Sequence, residues 1–230
     1  MIEVLYSHAA DFLKLILLGV LSLFPPVNPF GTALMLDPLF GDMNVVGRRA
    51  AALRIAIYCF FICVGALLMG TYLLKFFGVT IPVVKLAGGI LICRMGWNRL
   101  SATHETGVTD EDTEAGKKIS RSHRKLSDLL FYPIAFPSTT GAGTISVVLT
   151  LSAKMHSTDV TIYVFNLSAL LISILIIATL IYMSYAYTHT VLRKLGPQGN
   201  QILTRLSAFL VFCVGLQIAV EGLSTIVRDF

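Results

Sequence analysis

The chain has 230 residues, 55% of them hydrophobic and only 13% charged, against roughly 25% charged in ordinary soluble domains, which excludes a water-soluble globule. The net charge of +5 does not imply a nucleic-acid partner, because the basic residues fall between apolar runs and do not line one face. At about 20 apolar residues per crossing, the length holds six or seven membrane spans with short loops, and predicts a single membrane domain over residues 1–230.

The first uncharged run covers residues 15–36. Its opening stretch has the length of a signal-peptide core, but Glu3 and Asp11 precede it and Pro25-Pro26-Val27-Asn28-Pro29 stands where a small-residue cleavage site would be, so the segment is expected to be retained. Pro25, Pro26, Asn28, Pro29 and Gly31 sit at the centre of the run. Proline removes helical hydrogen bonds and clashes with the preceding turn, so the helix is expected to break there. The second run, 55–74, has no proline and predicts an unbroken span. The third, 81–100, is weaker, interrupted by Lys85 and Arg94. Cys59, Cys63, Cys93 and Cys213 all lie within apolar runs, where a free thiol behaves as a small hydrophobe.

Residues 101–127 turn polar, with acidic residues from Glu105 to Glu114 and basic ones from Lys117 to Lys125. Such a composition cannot bury enough apolar area to order itself and predicts a loop between two halves, with His104 and His123 solvated in it. The run 129–153 is again uncharged and again punctuated, by Pro133, Pro137, Ser138, Thr139, Thr140, Gly141, Gly143 and Thr144. The run 160–192 is smooth and longer than one span needs; its end from Tyr185 is expected at a membrane interface, where Tyr is favoured. Residues 206–220 complete the set, with Arg205 before them and Glu221 after.

Each half thus reads as a broken span, a smooth span and a shorter span opened by a cation, Lys85 or Arg205. Three spans per copy place the second copy upside down, the inverted-repeat plan of many secondary transporters, with repeats over about 12–100 and 128–226. The predicted fold class is an all-α integral membrane protein of six spans, the first helix of each repeat discontinuous. With that arrangement Lys14, Lys75, Lys85, Lys154 and Arg228 fall on one side of the membrane and the other thirteen Lys and Arg on the opposite side. The positive-inside rule puts the richer side, with the 101–127 loop, in the cytoplasm. Both termini are then expected to be periplasmic.

Irregular backbone at membrane depth survives only where it is buried in protein or lines a watery cavity, and two breaks at corresponding positions point to a solute site near the midplane. Asn28, Gly31 and Thr32 of the first break, with Ser138, Thr139, Thr140, Gly141, Gly143 and Thr144 of the second, are the candidate binding residues. A single proline kink re-satisfied by Ser or Thr would be structural; two dense, matched clusters favour function. Gln217 and Glu221, four apart, share a helix face, and Glu221 reads either as a proton-relay carboxylate or as a solvated residue at a helix end. Lys85 and Arg205 can snorkel or bind an anion. No nucleophile with a base in reach is evident, His156 and His189 lie at span ends, and no phosphate loop or metal-ligand spacing appears. No catalytic residue, metal or cofactor is therefore expected.

The strings Leu23-Phe24-Pro25-Pro26-Val27-Asn28-Pro29-Phe30-Gly31-Thr32 and Pro133-Ile134-Ala135-Phe136-Pro137-Ser138-Thr139-Thr140-Gly141-Ala142-Gly143-Thr144-Ile145 resemble the MarC family of bacterial inner-membrane proteins. So do Ile81-Pro82 with Lys85-Leu86-Ala87-Gly88-Gly89-Ile90, and Gly215-Leu216-Gln217 with Gly222. That family is also described as small neutral amino acid transporters. The chain departs from the pattern at Ser207-Ala208, Lys85 and Glu221. The resemblance implies a bacterial inner-membrane transporter whose cargo is a neutral amino acid; the residues themselves imply only a small solute meeting half-helix ends. The expected partners are that solute, the lipid bilayer and a coupling ion, with H⁺ and Na⁺ both open, as is homo-oligomerisation. A passive pore and a non-transporting membrane scaffold are the alternatives.

Overall fold

A computed structural model describes residues 2–40, 43–101, 129–154 and 159–229. The polar loop, with His104 and His123, and also His156 and the side chain of His189, lie outside what is described. Among the described residues every regular element is helical: α1 (Ile2–Val27), α2 (Pro29–Leu36), a 3₁₀ turn (Asp37–Phe40), α3 (Val45–Phe76), α4 (Ile81–Ser101), a π-type segment (Leu130–Thr139), α5 (Ala142–Lys154) and α6 (Val160–Asp229).

Local chemistry sets several of these ends. Helix α3 stops at Gly78, whose φ of 64° is left-handed; Val79 N donates to Leu74 O at 3.0 Å and Gly78 N to Lys75 O at 3.2 Å. That is the paired closure of a Schellman motif, open to glycine because it has no Cβ. Helix α4 restarts three residues later.

Four helices are long and apolar enough to cross a membrane, Ala10–Leu34, Val45–Gly70, Val160–Thr188 and Arg205–Arg228, and there are five if the bent pair Leu130–Thr139 with Ala142–Ala153 counts as one broken span. The sequence expectation of six is thus met to four or five. The shortfall in either count includes α4. Its 21 residues reach about 31 Å at 1.5 Å per residue, enough to cross, but Lys85 and Arg94 dilute its apolar character.

Helix α6 is helical from Val160 through Asp229, yet it cannot be straight. Ser173 Oγ lies 3.0 Å from Ile16 O on α1, while Leu18 and Leu21 of the same helix line a cavity with Val214 and Ile218. A straight helix would separate residues 173 and 214 by roughly 60 Å. The chain therefore doubles back between its two apolar runs, where Gly196, Pro197 and Gly199 loosen the helix.

The C-terminal run of α6 packs backbone-to-backbone on α4. A Cβ added at Gly89 would fall 2.4 Å from Ala219 N, one at Gly215 2.5 Å from Cys93 N, and one at Gly222 2.6 Å from Leu86 N. Small residues at such interfaces let membrane helices approach closely, with van der Waals packing holding them together where lipid supplies no hydrophobic drive. The buried core runs between the halves, from Leu23, Val27 and Ile55 to Ile134, Val148 and Ile181.

Candidate functional site

At the first break the helix continues through Pro25 and Pro26 and is interrupted only at Asn28. Asn28 is left-handed (φ 43°, ψ 59°) and caps α2, its Oδ1 accepting from Gly31 N at 3.3 Å. Asn tolerates this conformation better than most non-glycine residues, and Asn is a favoured N-cap. Thr32 Oγ1 donates to Asn28 O at 2.9 Å. Gly31 makes room for the cap itself, since a Cβ there would fall 2.3 Å from Asn28 Nδ2.

The second break is more extensive. Tyr132 (φ −122°, ψ 121°) and Phe136 (φ −130°, ψ 128°) are extended inside the π-type segment, and each precedes a proline, which drives the residue before it out of the helical region. The π-type segment and α5 meet at 62°. Thr140 N donates to Ala135 O at 2.9 Å across the junction. Thr139 Oγ1 is 2.8 Å from both Ile134 O and the Tyr185 hydroxyl. Gly141 and Gly143 sit against protein, with a Cβ at Gly143 falling 2.6 Å from Ile92 Cγ1 and one at Gly141 2.7 Å from Pro137 O. In this conformation both glycines serve packing. Ser138 is half-buried.

Helix α1 packs on α5 and α2 touches the π-type segment, so the two breaks adjoin. Asn28, Thr32, Thr140 and Thr144 are 8%, 1%, 0% and 1% exposed. Among the described residues, three buried side-chain polar atoms lack a nitrogen or oxygen hydrogen-bond partner: Asn28 Nδ2, Thr144 Oγ1 and Thr140 Oγ1, the last with only the weakly bonding Cys59 thiol beside it. All three belong to the breaks. Leaving such a group unsatisfied costs about 1–3 kcal/mol, so the interruptions hold polar capacity that the fold itself does not use.

Sequence reading missed the support around this site. Tyr185, near the end of the Val160–Thr188 span, is 2% exposed, its hydroxyl on Thr139 and its carbonyl accepting from Arg48 Nε at 3.1 Å. Arg48 also forms an ion pair with Asp37 and lies 5.6 Å over the Phe40 ring. A buried Arg needs such partners. The one available signal was Asp37, an acidic residue directly after the apolar string of the first break.

Lys85 and Glu221 do come together: Lys85 Nζ is 3.2 Å from Glu221 Oε2, and Gln217 Nε2 donates to Glu221 Oε1 at 3.4 Å. Arg205 is exposed and, sixteen residues before Glu221 on α6, lies about 24 Å from it. Lys85 and Arg205 therefore have different surroundings.

Broken apolar helices around a buried polar junction define an integral membrane protein. A model described as MarC family integral membrane protein matches residues 13–227, and the chain belongs to the MarC family. It is 29% identical over 221 residues to the UPF0056 inner membrane protein MarC of Citrobacter koseri, covering 96% of this chain and 99% of that relative. The proteins of the same name from Escherichia coli K12 and Shigella flexneri are 28% identical over the same shares. No solved structure matches the chain.

Proposed function

We propose that the protein is a secondary transporter of the bacterial inner membrane that moves a small polar solute, a neutral amino acid, by alternating access. The carrying observation is the set of three unpartnered buried atoms, Asn28 Nδ2, Thr140 Oγ1 and Thr144 Oγ1, at two adjoining helix breaks. Half-helix N-termini carry unpaired N–H groups and about half a positive charge, suited to a carboxylate, while the threonine hydroxyls and Asn28 supply donors and acceptors for an ammonium or a coupling ion, H⁺ or Na⁺. The element order supports an inverted repeat, with α1–α2, α3 and α4 answering to the π-type segment with α5 and the two runs of α6. The names of the relatives supply the inner membrane, and the charge bias between loops supplies periplasmic termini. The protein is not an enzyme in this reading.

Counter-flow of labelled alanine in proteoliposomes is the test. Saturable exchange, accelerated by unlabelled alanine on the far side, is expected. Flux that never saturates would make the protein a pore, and absence of flux for every neutral amino acid would make it a scaffold.

A further inference from the structure

A cavity of about 360 Å³ opens between the halves. Its walls are aliphatic, with Leu18 and Leu21 of α1, Val147 and Leu151 of α5 and Ile218 of α6, and its polar groups include Lys85 and Glu221. Those two side chains form the 3.2 Å ion pair, Lys85 12% and Glu221 48% exposed. On α5 the cavity lies along the same helix face as the second break. Val147 and Leu151 stand three and seven residues after Thr144 on α5, one and two turns along one stripe, and Leu18, Leu21 and Ser22 precede Asn28 on α1 by roughly two to three turns.

A cation and an anion in contact within aliphatic walls set strict terms for a ligand. An anionic or cationic solute would take one partner and leave the other without its counter-charge, which is costly above all for Lys85 at 12% exposed. A zwitterion can insert its carboxylate toward Lys85 and its ammonium toward Glu221, so that each protein charge exchanges one partner for another. The aliphatic walls then bury an apolar substituent. We propose that this cavity is a second solute site, an entry vestibule where the Lys85–Glu221 pair opens to receive a zwitterion with an aliphatic side chain before it passes along α1 and α5 to the breaks. The inference rests on the transport reading above. An ethanolamine phospholipid headgroup carries the same two charges, and the experiment separates the two sources.

The experiment is equilibrium binding of labelled leucine to the full chain in phosphatidylglycerol nanodiscs. The parent is expected to bind two leucines, the Lys85→Gln/Glu221→Gln variant one, and the Thr140→Val/Thr144→Val variant one. In the last variant, which reports the vestibule alone, 4-methylpentanoate and 3-methylbutylamine should compete roughly 10- to 100-fold less well than leucine, each lacking one charge-assisted contact. If neutralising the pair prevents folding, the exchanged pair Lys85→Glu/Glu221→Lys keeps an ion pair and is expected to bind two. A parent that binds one leucine, lost in Thr140→Val/Thr144→Val and unaffected by the charge variants, overturns the vestibule and leaves the transport reading standing. No leucine binding in the parent overturns the vestibule, and the transport reading then stands or falls on the alanine counter-flow. Loss of the vestibule site only when phosphatidylethanolamine is added assigns the cavity to lipid and likewise overturns the proposal.

Discussion

The first interruption takes one residue, the second a whole segment. Around Asn28 the helix runs on as a single apolar stretch, Ala10–Leu34, and the interrupting residue repairs most of its own damage by capping α2. Around Thr140 the chain bends by 62° and two residues before prolines are extended. Both strings are rich in proline, glycine and hydroxyl or amide side chains. The difference lies in where the prolines fall. Pro29 sits in the first turn of α2, where a missing N–H costs little, and Pro25 and Pro26 sit in the last turn of α1, where each gives up one helical bond with little helix left beyond it to disrupt. Pro133 and Pro137, four apart, each force an extended residue and leave no regular turn between them. One break is a self-capped hinge. The other concentrates unused polar groups, two of the three unpartnered atoms.

If the second break carries most of the binding, the largest effect comes from Thr140→Val with Thr144→Val. Each lost contact should lower transport efficiency by roughly five- to 150-fold, while the thermal midpoint stays level or rises, because an unsatisfied hydroxyl is replaced by an apolar group of the same shape. A large drop in the midpoint would mean the hydroxyls already have partners and the comparison fails.

Asn28 separates capping from binding in the first break. Asn28→Ala should cost about 1 kcal/mol through the lost cap as well as transport, measured by thermal unfolding and counter-flow. Asn28→Asp keeps the capping oxygen and removes the Nδ2 donor, so transport should fall with little loss of stability. Equal stability losses in the two variants would show that Nδ2 holds the fold, not a solute.

A smaller effect is expected for Tyr185→Phe, which removes one bond to the second break while Thr139 keeps Ile134 O. The loss should be about 0.5–1.5 kcal/mol of stability, with a modest fall in transport. Replacing residues 103–118 by a Gly/Ser linker of equal length should change neither quantity. Cysteine accessibility should place Ser7→Cys outside and Ser122→Cys inside intact cells, in line with the charge bias.

The two breaks were legible because proline and glycine act locally: Pro133 and Pro137 disrupt any helix they enter, whatever packs against it. The family was legible from the same strings. What was not legible depends on distant partners. Nothing in the neighbourhood of Tyr185 announces Thr139, 46 positions away, or Arg48, 137 positions away. The pairing of Lys85 with Glu221 spans 136 positions, and only its packing against α6 makes sense of a helix as polar as α4. Gly31, Gly141 and Gly143 stand among the candidate binding residues, yet the space beside them is filled by Asn28, Pro137 and Ile92. Sequence shows that a close approach is needed but not by what.

The central claim, that the polar atoms left over at the second break bind cargo, is tested most directly by alanine counter-flow through Thr144→Ser and Thr144→Val side by side. The serine variant keeps the hydroxyl and should transport within about threefold of the parent, whereas the valine variant should lose roughly tenfold or more at an unchanged thermal midpoint. Equal transport by the two variants would contradict the claim and leave the break a structural bend.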